Sequence, residues 1–87
     1  MAIMIDKGNE CWYINGDGVV AVHVTKSQLV FKLFQGEEVV VQISGIEDNK
    51  QLKMLTYHLG VHLHSDTIAD LDWIIELVKR TKGERSK

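Results

Sequence analysis

Between Val19 and Ile43 apolar and polar positions alternate through three runs, VVAVHVT, QLVFKLF and EVVVQI. Side chains along a strand point to opposite faces in turn, so the pattern predicts a three-strand antiparallel meander. A two-residue loop at Lys26-Ser27 pairs Val24 with Leu29, Val22 with Phe31 and Val20 with Leu33. All six then share one face. A three-residue loop at Gln35-Gly36-Glu37 pairs Leu33 with Val39, Phe31 with Val41 and Leu29 with Ile43, which extends that face across the third strand. A two-residue loop at this point would turn Glu38 and Gln42 toward the core.

Upstream, ECWYI over residues 10–14 is aromatic-rich and strand-like. Asn15-Gly16-Asp17-Gly18 is the strongest turn signal in the chain, because Asn, Asp and Gly tolerate positive φ. It predicts a hairpin from the CWYI strand into VVAVHVT, and so a meander of four strands. AIMID, over residues 2–6, is set off by Lys7-Gly8-Asn9 and reads as an additional edge strand. The parity of the Asn15–Gly18 loop decides where Trp12 points, and the pattern leaves both faces open.

After Ser44-Gly45 the period changes. Leu52, Leu55 and Leu59 lie at helical spacing, Asp48 suits the N-cap with Gln51 three residues on, and Gly60 suits the position that ends a helix. A second helix is expected from Ser65 or Asp66 to about Thr81, with Ile68, Leu71, Ile74, Ile75 and Val78 as its apolar stripe. Asp66 and Asp70 near its start, and Lys79 and Arg80 near its end, complement the helix dipole. Trp73 and Leu77 are four residues apart, on the side away from Ile68 and Ile75, and offer a second contact face. The expected fold is α+β: an antiparallel meander of about four strands followed by two C-terminal helices on one face (ββββαα), with the extra N-terminal edge strand.

Length adds one constraint. A chain of 87 residues holds one core, here assigned to residues 1–81, with residues 82–87 as a basic, disordered tail. Charge adds another. Residues 1–78 carry five Lys/Arg against eleven Asp/Glu, a balance of −6, and residues 79–87 carry five against one, a balance of +4. The body repels a phosphate backbone, so nucleic acid is a disfavoured partner. The single cysteine, Cys11, excludes an internal disulfide; beside Trp12 in a strand it reads as a small buried hydrophobe in a reducing compartment. No N-terminal run is long and apolar enough for a signal peptide or a membrane span, so a cytoplasmic protein without membrane contact is expected.

Candidate chemistry is sparse. His58, His62 and His64 fall within seven residues, and the first two would share the face of an uninterrupted helix, as zinc ligands do. With Gly60 ending the helix between them, they read as boundary residues, and no metal or cofactor is assigned. No Ser or Cys has a recognisable catalytic companion, so the chain is not expected to be an enzyme.

The outward sheet face, with Val19, Ala21, His23, Val30, Lys32, Phe34, Val40 and Gln42, is half apolar where a solvated face is mostly polar. The expected function is therefore a small non-enzymatic protein-binding module of regulatory or inhibitor type, homodimeric, of a kind that phages and mobile elements use to block a host protein. Its contact residues would be Trp12, Val30, Lys32, Phe34, Val40, Trp73 and Leu77. Two alternatives stand beside it. One is a single-stranded nucleic-acid binder using the sheet aromatics and basic tail. The other is a metal-binding protein through His58, His62 and His64.

Overall fold

The computed structural model describes residues 2–6 and 8–85, with side chains described as far as Arg80. Along the chain come β1 (Ala2–Asp6), β2 (Cys11–Asn15), β3 (Val19–Val24), β4 (Gln28–Leu33), β5 (Glu38–Gln42), α1 (Asn49–Leu63), β6 (Ile68–Asp70) and α2 (Leu71–Arg85). The α+β class holds. The strands form two three-stranded sheets, β2-β1-β6 and β3-β4-β5, in place of one four-strand meander. The second sheet is antiparallel throughout; in the first, β1 is antiparallel to β2 and parallel to β6.

The break between sheets lies at Asn15–Gly18. The Asn15 side chain accepts a hydrogen bond from the Asp17 N–H at 2.9 Å and caps a 3-10 turn over Gly16–Gly18. None of these residues has the positive φ that a tight hairpin turn requires. The segment thus carries the chain from β2 into a different sheet. β2 pairs instead with β1, through a hairpin in which Gly8 has φ 85° and donates its N–H to Asp6 Oδ1 at 2.9 Å. AIMID is the central strand of its sheet, not an edge. Ile3 and Ile5 are fully buried, a position that suits an almost continuous apolar run.

Within the second sheet, Val24 faces Leu29 and Val22 faces Phe31, as the alternation predicts. A bulge between Val19 and Ala21 then sets Val19 opposite Leu33 and leaves Val20 out of the ladder, 59% exposed. The β4–β5 loop has three residues as expected but lies one position earlier, at Phe34-Gln35-Gly36. Leu33 N–H donates to Glu37 O at 2.9 Å, Gly36 N–H donates to Leu33 O at 3.0 Å, and Gly36 takes φ 92°. Phe31 therefore pairs with Val39 and Leu29 with Val41, a shift of two residues from the expected register. An even shift keeps every side chain on its face, so Leu29, Phe31 and Val41 are buried as anticipated.

Asp48 caps α1, its carboxylate accepting from Gln51 N–H at 2.9 Å, while Gln51 Oε1 accepts from Glu47 N–H at 2.7 Å. The helix does not end at Gly60. It continues to Leu63, because Leu55, Leu59 and Leu63 form an i, i+4 row that is 0%, 1% and 5% exposed, and burial of Leu63 offsets the cost of an interior glycine.

Residues 68–70, expected inside the second helix, form β6. Ala69 turns inward beside Ile3, and Ile68 turns outward at 65% exposure. Asp70 Oδ1 accepts from Asp72 N–H at 3.0 Å and starts α2, so Asp70 takes the capping role expected of Ser65 or Asp66. Leu71, Ile74, Ile75 and Val78 are buried as the stripe predicted. α2 is helical to Arg85 and so includes the backbone of residues 82–85. The rest of the expected tail lies outside the described residues.

The helices do not cover one face of a single sheet. They pack on each other, α1 also against β1 and β3, and α2 against β1 and β6. One continuous apolar cluster joins both sheets and both helices. No helix among the described residues is long and apolar enough to cross a membrane.

Candidate functional site

The seven residues expected to contact a partner fall in separate places. Trp12 stands opposite Ile5 on the core-facing side of β2, at the sheet edge, and is 42% exposed. With Ile14, Leu33, Gln35 and Val39 it borders a shallow hollow at the end of the second sheet. Val30 is only 7% exposed, flanked by His23 on β3 and Val40 on β5. Lys32 is exposed between Ala21 and Glu38. Phe34 lies in the β4–β5 loop at 73% exposure. The bulge turns Val19 to the core side. Of the exposed large apolar residues, Val40 stays on the outer sheet face, Phe34 lies in the loop and Val20 at the bulge, so no continuous apolar sheet face results.

Trp73 and Leu77 belong to a more continuous surface. Since α1 runs through Gly60, His58 and His62 do share a face. Their rings are stacked, 6.4 Å apart between centroids and 20° between planes. Tyr57 meets His58 edge-on at 5.8 Å, and His62 meets Trp73 edge-on at 6.0 Å. The four rings form an unbroken line from the outer side of α1 to the outer side of α2. Val61, a turn beyond Tyr57 on the side opposite the buried leucine row, extends it, as Leu77 extends Trp73 along α2. Tyr57, Val61 and Trp73 are among the exposed large apolar residues of the chain. The sequence reading missed Tyr57 and Val61. Tyr57 lay within the expected helix, two residues from both Leu55 and Leu59 and so on the side opposite them, while Val61 was hidden once the helix was stopped at Gly60.

The histidines do not assemble as a trio. His64 caps the C-terminal end of α1 and borders a cleft against β3, away from the stacked pair. No set of three His, Cys, Asp or Glu side chains suited to hold a metal occurs among the described residues. Cys11 corrects another expectation: it is exposed, because the β1–β2 register places it opposite Asp6 on the outer face of an edge strand. Electrostatics add little here. The Lys79–Glu76 pair at 3.6 Å is an exposed i, i+3 contact on α2. No protein-family model, curated protein or solved structure matches the chain.

Proposed function

We propose that this chain is a small, non-enzymatic protein-binding module of regulatory or inhibitor type, and that it engages its partner through the outer face of α1 and α2. The observation that carries the reading is the line of rings Tyr57, His58, His62 and Trp73, which crosses from one helix to the other. Tyr57 is 69% and Trp73 53% exposed. On the scale of aromatic side chains the two leave roughly 200–300 Å² in water. Tyr and Trp are the side chains over-represented at the energetic centres of protein interfaces, where a large rigid surface is buried at low entropic cost.

The sheet face is the weaker candidate, since Val30 is already covered by its neighbours and Val19 faces the core. The homodimer expected through that face loses its area argument with them. Affinity capture with the tagged protein, compared with its Trp73→Glu variant, tests the reading: a partner recovered with the first and lost with the second supports it.

A further inference from the structure

The β3-β4-β5 sheet ends at β3, with no strand beyond it among the described residues. Beside that edge runs α1. Between them lies a cleft of about 240 Å³, walled by Val20 and Val22 on one side and by Leu59, Gly60 and Leu63 on the other. Two features of this cleft are unused among the described residues.

The first is the backbone of β3. Thr25 N–H donates to Gln28 O at 2.9 Å, which makes Thr25 and Gln28 a hydrogen-bonded pair. Antiparallel pairing alternates, so His23 and Ala21 exchange bonds with Val30 and Lys32. The N–H and C=O groups of Val22 and Val24 then point away from β4, along the open edge. The second feature is Gly60. A glycine inside a helix costs about 1 kcal/mol against alanine. Its φ is not positive, and a Cβ built on it meets nothing within 4 Å, so no contact among the described residues requires it. It keeps the helical wall of the cleft low beside the strand edge.

We propose that this cleft binds an extended peptide segment of another protein, which adds to β3 as a fourth strand. The peptide backbone pairs with Val22 and Val24, and an apolar side chain enters the gap that Gly60 leaves in the helical wall, beside exposed Val20. The occupant is a single strand and not the β3 edge of a second copy. The bulge between Val19 and Ala21 breaks the edge, so two copies would share only a short regular stretch. An isolated strand needs only that stretch and gains the wall of α1. Leu63 and His64, at the C-terminal end of α1, border the cleft, and a helix C-terminus favours a basic residue at that end of the peptide. Gly60 lies on the opposite side of α1 from His58 and His62, so this surface is independent of the Trp73 face.

Selection of a displayed library of random peptides against the full chain tests the assignment. The expected outcome is peptides that share an apolar residue and whose affinity falls roughly tenfold or more in Gly60→Leu. That variant should melt no lower than the wild type, since leucine is the better helix former. N-methylation of alternate peptide amides should abolish binding, the Val22 and Val24 amides should gain hydrogen-exchange protection with peptide, and Trp73→Glu should bind unchanged. Recovery of no such peptide overturns the proposal, as does binding insensitive to Gly60→Leu. Protection of the Val22 and Val24 amides that rises with protein concentration alone assigns the edge to a second copy and also overturns it.

Discussion

The imidazole of His62 stands edge-on to the indole of Trp73, with ring centroids 6.0 Å apart and planes at 76°. Edge-to-face geometry is the favoured arrangement of aromatic rings, because the positive ring edge meets the negative face. The contact exists only because α1 continues past Gly60 and carries His62 one turn beyond His58. It links the solvent sides of two helices that also share a core.

Removing either ring should therefore cost more than exposure alone suggests. In a double-mutant cycle of His62→Ala and Trp73→Ala, followed by urea denaturation, we expect a coupling energy of about 0.5–1.5 kcal/mol. Strict additivity of the two changes would show that the rings do not support each other.

Gly60→Ala should raise stability by about 0.5–1 kcal/mol. The position is helical, without positive φ, and an added Cβ finds open space. A fall in melting temperature would place Gly60 at a helix end with a left-handed backbone, and the shared face of His58 and His62 would be lost with it.

Phe31→Ala should cost about 3–5 kcal/mol, because Phe31 is fully buried between Val22 and Val39. Lys32→Ala should change stability by no more than about 0.5 kcal/mol, since Lys32 points to the exposed face. Equal losses in chemical denaturation would contradict the register of β4.

The parts of the fold that the sequence makes legible are those fixed by period alone. The face on which Leu29, Phe31 and Val41 lie follows from alternation and survives a two-residue error in register. The row Leu71, Ile74, Ile75 and Val78 follows from helical spacing in the same way. What is not legible depends on contacts distant in sequence. Ile68-Ala69-Asp70 fits a helical stripe as well as a strand, and only its pairing with β1 decides for the strand. Asn15–Gly18 carries the composition of a hairpin turn, yet the Asn15 side chain closes a 3-10 turn instead. Gly60 has the local signature of a helix end, which burial of Leu63 overrides. The last of these errors hid the aromatic line, since Trp73 was visible as a contact residue while its partner His62 was assigned to a connection.

The central claim is that a protein partner docks on the Trp73 face. The most direct test is quantitative mass spectrometry of proteins recovered from source cells with tagged wild type, Trp73→Glu and Phe34→Glu, each first shown to have the wild-type circular dichroism spectrum. Both substituted side chains are exposed, at 53% and 73%, so all three proteins should fold. The account predicts a partner recovered with the wild type and with Phe34→Glu and lost with Trp73→Glu. A partner lost only with Phe34→Glu, or no protein whose recovery depends on Trp73, would contradict it.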